Sequence, residues 1–217
     1  MPIVRIINPN SNTAVTDGMA DAVAPLRMAG GPDLDSVTLM DGPFGIETDA
    51  DVATAANLVT TYVNADDEAA AFVVACYSDP GLEASRNITD KPVFGIAECA
   101  ALTALTRGRS FGVISILDAS IPRHMRYLET LGLDGRCAGD RALNMSVAET
   151  AMGESTFDKM AAIGADLREK DGADVIILGC AGMARHRDGL EKRLGVPVID
   201  PVQAAAVMAL GAVQLTD

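Results

Sequence analysis

Seven short apolar runs punctuate the chain, at residues 4–7, 37–40, 72–75, 93–96, 112–116, 175–178 and 196–199. Segments rich in Ala, Glu, Asp, Leu and Arg separate them. Most runs are apolar on both faces, as a parallel strand must be when helices cover it from either side. Their alternation with helical segments predicts an α/β protein built on doubly wound parallel sheets.

The pattern also repeats. Phe72-Val73-Val74-Ala75-Cys76 matches Ile176-Ile177-Leu178-Gly179-Cys180, Lys91-Pro92-Val93-Phe94 matches Val196-Pro197-Val198-Ile199, and the first run matches residues 113–116. Three matches in the same order, at an offset of about one hundred residues, predict an internal duplication and so two pseudo-symmetric lobes. Open α/β sheets bind ligands beyond the carboxyl ends of their strands, which places the expected pocket in the cleft between the lobes. Cys76 and Cys180 then stand at equivalent strand ends, one on each side of that cleft.

Length and charge narrow the field. The 217 residues suffice for one large α/β domain or two small ones. A formal charge of -13 opposes binding to a phosphate backbone, so nucleic acid is excluded as a partner. The longest apolar runs fall well short of the roughly 20 residues that a membrane helix needs. The opening residues lead straight into a strand pattern without the features of a leader, and a cytoplasmic location is expected. The four cysteines, Cys76, Cys99, Cys137 and Cys180, are widely spaced and expected to be reduced. There is no CxxC pair, and His124 and His186 lack zinc-site spacing, so no metal is implied.

Inverting a carbon next to a carbonyl requires a base on one face and an acid on the other. Two thiols can exchange those roles. Each sulfur is expected near a helix start that lowers its pKa: Ser78 or Asp79 is a candidate N-cap with Pro80 in the first helical position, and the small residues Ala181 and Gly182 leave backbone N–H groups open to a substrate oxygen. Those groups would stabilise an enolate without a metal or organic cofactor. Cys99, in a helix-like segment, and Cys137, between glycines, read as structural, and both histidines read as surface residues. The turn Asn8-Pro9-Asn10-Ser11-Asn12-Thr13 offers Asn10 and Ser11 to a polar substrate. The loop carrying Ile46 follows the second run, and Ser115 and Ile116 end the run equivalent to the first.

These pieces resemble the aspartate/glutamate/hydantoin racemase superfamily, most closely its hydantoin and allantoin racemase branch. The resemblance rests on Ile6-Ile7-Asn8-Pro9-Asn10-Ser11, Gly42-Pro43-Phe44-Gly45-Ile46-Glu47, Ala75-Cys76-Tyr77-Ser78-Asp79-Pro80-Gly81-Leu82, Gly95-Ile96-Ala97-Glu98, Leu178-Gly179-Cys180-Ala181-Gly182-Met183 and Val196-Pro197-Val198-Ile199-Asp200-Pro201. It implies catalytic cysteines at 76 and 180, no cofactor, a small-molecule substrate and a homo-oligomer. It also implies that the last helix returns to the first lobe, giving lobes of residues 1–97 plus 202–217 and 98–201. Amino-acid racemases of the superfamily typically carry Asn-Thr after the first cysteine and Thr-His after the second, where this chain has Tyr77-Ser78 and Ala181-Gly182. The departure favours a neutral ring such as a 5-substituted hydantoin or allantoin. Free aspartate or glutamate, a maleate-type cis-trans isomerisation, and a non-catalytic metabolite-binding role are the alternatives.

Overall fold

The computed structural model describes residues 1–152 and 156–215. Four strands, β1 (Ile3–Asn8), β2 (Asp33–Thr38), β3 (Ala69–Val74) and β4 (Val93–Gly95), form a parallel sheet in the order β2-β1-β3-β4. Four more, β5 (Phe111–Ser115), β6 (Cys137–Ala142), β7 (Val175–Leu178) and β8 (Val198–Ile199), form a second parallel sheet in the equivalent order β6-β5-β7-β8. The two lobes are therefore the same topology used twice.

Helices α1 (Thr13–Val23), α2 (Asp49–Ala65), α3 (Leu82–Arg86) and α4 (Ile96–Leu105) accompany the first sheet, and α5 (Ile121–Leu131), α6 (Val147–Met152), α7 (Thr156–Glu169) and α8 (Arg187–Leu194) the second. The last helix, α9 (Pro201–Leu215), packs on α4, β3, β4 and β1, so the chain's end lies against the first sheet. Of the expected lobe segment 202–217, residues 216 and 217 lie outside the described part. The central strands supply the core: Ile6, Val73, Ile114, Ile176 and Ile177 are fully buried. Among the described residues no helix is long and apolar enough to cross a membrane.

The duplication holds down to single hydrogen bonds. Ala75 N–H donates to the Ile7 carbonyl at 2.9 Å, and Gly179 N–H donates to the Ile114 carbonyl at 2.8 Å. Ile7 thus corresponds to Ile114, two residues earlier than the match suggested by pattern alone. A shift of two leaves every side chain on the same face, so the apolar pattern does not register it. The close approach also explains why position 179 is glycine: a Cβ there would lie 2.7 Å from the Ile114 carbonyl oxygen.

The edges depart most from expectation. The run at 37–40 overlaps only Val37 and Thr38, the last two residues of a strand that starts at Asp33; β2 is an edge with only Leu34 fully buried along it. Strand β6 carries no apolar run at all; every residue of Cys-Ala-Gly-Asp-Arg-Ala is half-buried. Cys137 therefore sits at the start of an edge strand.

Candidate active site

Both thiols follow the central strand next to the fold's switch point. Cys76 comes two residues after β3, and Cys180 two residues after β7, and they line one narrow cleft between the lobes. The Ser78 amide favours the Cys76 thiolate and the Gly182 amide the Cys180 thiolate, the same i+2 relation in each lobe. The Thr150 hydroxyl on α6, which donates to the Val147 carbonyl at 2.8 Å, also favours the Cys180 thiolate.

The expected acidification of these thiols is overturned. Burial pushes Cys76 up to about 12, an effect that the Ser78 amide and Arg123 only partly offset and that Cys180 reinforces. Burial raises Cys180 as well, against the Gly182 amide and Thr150. Desolvation penalises a thiolate more than one or two amides relieve it. The helix start after Cys76 also differs from the expected one. Helix α3 begins at Leu82 with Gly81 as its cap, at φ 74°, and makes no side-chain cap bond. Asp79 instead turns away, at φ 42°, and accepts from Ala97 N–H and Glu98 N–H, capping α4 across the lobe.

Of the other sequence candidates, Asn10, Ile46, Tyr77, Ser78, Ile116 and Ala181 line the cleft with the thiols. Ser11, Ser115 and Gly182 do not. Ser11 N–H holds the Pro43 carbonyl at 3.0 Å, which tethers the loop that carries Ile46. That loop is fixed at its other end by Glu47, whose carboxylate accepts from the Val147 N–H of α6 at 3.0 Å. Asn10 is held in place by Asn8: its Oδ1 accepts from Asn8 Nδ2 at 3.1 Å and from Asn12 N–H at 3.0 Å.

His124 corrects the surface reading. It is 5% exposed, lines the cleft, and its Nδ1 lies 2.9 Å from Asp140 on β6 and 3.1 Å from Ser115 Oγ. Tyr77 meets its ring edge-on, with centroids 5.1 Å apart. Between Arg123 and Met125 in sequence it looked solvated, but α5 turns that face inward and the unforeseen strand β6 brings Asp140 to it. His186 is half-buried beside Phe157, outside the cleft. Arg123 was also missed: it lines the cleft while donating to Ser78 Oγ at 3.0 Å and to Asp49 at 2.6 Å.

The family model for Asp/Glu/Hydantoin racemase matches residues 4–209. The chain belongs to the Asp/Glu/hydantoin racemase family. It is 36% identical to a hydantoin racemase of Paenarthrobacter aurescens, over 98% of this chain and 91% of that one. It is 37% identical to a hydantoin racemase of Pseudomonas sp. (strain NS671), over 95% and 84%. Its fold superposes on the allantoin racemase from Klebsiella pneumoniae with a TM-score of 0.94 at 32% identity, covering all of this chain and 89% of that one. This Asp/Glu/hydantoin racemase is thus an isomerase by class, and the resemblance seen in its motifs extends over nearly its whole length.

Proposed function

We propose that this racemase inverts the α-carbon of a 5-substituted hydantoin or of allantoin, with Cys76 and Cys180 as the two proton carriers. The observation that carries the reading is that two thiols from equivalent positions of the two lobes line one cleft. The thiolate of one cysteine takes the α-proton, forming an S–H bond, while the C–H electron pair moves onto the adjacent carbonyl as an enolate. The other thiol returns its proton to the opposite face, and the enolate collapses. The pair ends with its proton exchanged, ready for the reverse direction.

The electrostatics suit such a pair. A charge on Cys180 disfavours ionisation of Cys76, so once one sulfur has become a thiolate the other keeps its proton, and the pair then presents one base and one acid. Substrate class follows from the walls. Ile46, Ile116 and Val147 are apolar, and Arg123, the cleft's one Arg or Lys among the described lining residues, is already engaged by Asp49 and Ser78. A free carboxylate meets no uncommitted Arg or Lys there, whereas a neutral ring needs none.

Incubating one enantiomer of a hydantoin panel and of allantoin in deuterium oxide tests the reading. Optical decay with deuterium entering the α-carbon is expected. Cys76→Ser and Cys180→Ser are each expected to lower inversion by about a thousandfold or more, the scale of losing an essential acid or base. Full activity in both variants rules out the thiol mechanism, and an optically stable panel rules out the substrate class.

A further inference from the structure

The duplicated fold offers an internal control for His124. In the first lobe, Asn8 ends β1 and its amide reaches Asn10, Asn12 and Thr16, and Thr16 in turn bonds Thr38 on β2. In the second lobe the counterpart of Asn8 is Ser115, at the end of β5. Its partners come from the equivalent helix and edge strand, but they are His124 on α5 and Asp140 on β6. The first lobe shows that amides and hydroxyls satisfy this corner of the fold. An imidazole and a carboxylate, with side chains 5% and 1% exposed, carry a desolvation cost the fold itself does not require.

The geometry of the pair aims a defined group at the cleft. Asp140 accepts from the Ser115 hydroxyl and from His124 Nδ1. A carboxylate at Nδ1 holds the ring proton there and leaves Nε2 with a lone pair. His124 lines the cleft, and no described residue bonds its Nε2. Tyr77 packs edge-on against the ring and restrains its plane. From the other lobe, Asn10 has its oxygen occupied twice, which leaves its NH2 as a donor in the same cleft. The cleft therefore presents an acceptor from one lobe and a donor from the other. A cyclic amide carries the complementary N–H and C=O side by side; a carboxylate has no N–H to give.

We infer that His124 Nε2 accepts a hydrogen bond from a ring N–H of the substrate, with Asp140 and Ser115 positioning the imidazole, and that this contact selects cyclic amides over free amino acids. The inference rests on the racemase reading above. It assigns His124 to substrate binding and leaves proton transfer to the thiols.

The test pairs residue changes with substrate changes on the full chain. Racemisation of a 5-substituted hydantoin is followed by polarimetry beside its N1-methyl and N3-methyl derivatives, with wild type, His124→Ala, His124→Gln and Asp140→Asn. Methylation at one of the two nitrogens is expected to lower wild-type kcat/KM at least tenfold but to lower that of His124→Ala less than threefold, the coupling expected of groups in direct contact. On the parent hydantoin, His124→Ala is expected to lose tenfold to about a hundredfold, the worth of one hydrogen bond to a buried group. His124→Gln, whose amide oxygen reaches near the Nε2 position, is expected to recover part of that loss. Asp140→Asn frees the ring to carry its proton on Nε2 and is expected to repeat the alanine pattern; it decides the question if His124→Ala does not fold. Methylation that costs the variants as much as wild type, or costs wild type nothing, overturns the inference. An inactive wild type across the panel overturns instead the substrate class on which it rests.

Discussion

At the residue scale, burial governs the ionisable groups that matter. Asp200 starts α9, and its Oδ1 accepts from Gln203 N–H at 2.7 Å, while its buried Oδ2 has no partner. Burial pushes this carboxyl up to about 6, and it pushes Asp79 up to about 7 despite the two α4 amides and Tyr127. Both groups hold their proton more tightly folded than unfolded. Their stabilising contribution is complete below about pH 4 and is lost as pH rises through 6 to 7. Asp51, Asp66 and Asp171 are shifted down, so their contribution is lost in the opposite direction, as pH falls. Asp200→Asn keeps the cap oxygen and removes the buried charge. Its stability relative to wild type is expected to rise by about 1–3 kcal/mol between pH 4.5 and pH 8, measured by urea unfolding at each pH; a difference that stays constant with pH contradicts the assignment. Because the Asp200 charge also holds Cys180 up, the alkaline rise of kcat/KM in this variant is expected at lower pH than in wild type.

At the element scale, the central strands were readable and the helix starts were not. Strands β3 and β7 lie where the apolar runs put them, since a strand buried on both faces has no choice of pattern. Strand β6 was unreadable because an edge strand with half-buried residues has nothing to distinguish it from a loop. The cap of α4 was unreadable for another reason: its carboxylate, Asp79, comes from seventeen residues before the helix and passes directly over Gly95. A Cβ on residue 95 would lie 2.2 Å from Asp79 Oδ2. Gly95→Ala is expected to displace the carboxylate and destabilise the protein by about 1–3 kcal/mol, the worth of a buried cap. Gly135→Ala, with nothing within 4 Å of its Cβ, is the control and is expected to change little. Equal effects in chemical unfolding would show that the close approach is not what position 95 requires.

At the scale of the whole molecule, the cleft is held by contacts that cross between lobes. Arg123 reaches from α5 to Ser78 and Asp49 on the other lobe, and Glu47 reaches the first amide of α6. The Asp49 end is 76% exposed, so the ion pair contributes little to stability. Arg123→Ala is therefore expected to change unfolding free energy by less than about 1 kcal/mol. It is also expected to raise KM several-fold and to move the ionisation of Cys76 upward, because the nearby cation is gone. A large loss of stability with unchanged KM would assign Arg123 to holding the lobes together instead.

Sequence alone determined the parallel α/β class, the duplication and the equivalence of Cys76 and Cys180. Each of these follows from short-range pattern: a buried strand must be apolar along its length, and a repeated unit must repeat its strand ends. Tertiary structure alone decided that the thiols are raised rather than lowered, that Asp79 caps a distant helix, and that His124 is a buried partner of Asp140 and Ser115. Desolvation sums over neighbours from both lobes, and a hydrogen bond between residues far apart leaves no local trace. The two thiols could be found by counting along the chain; their chemistry depends on what surrounds them.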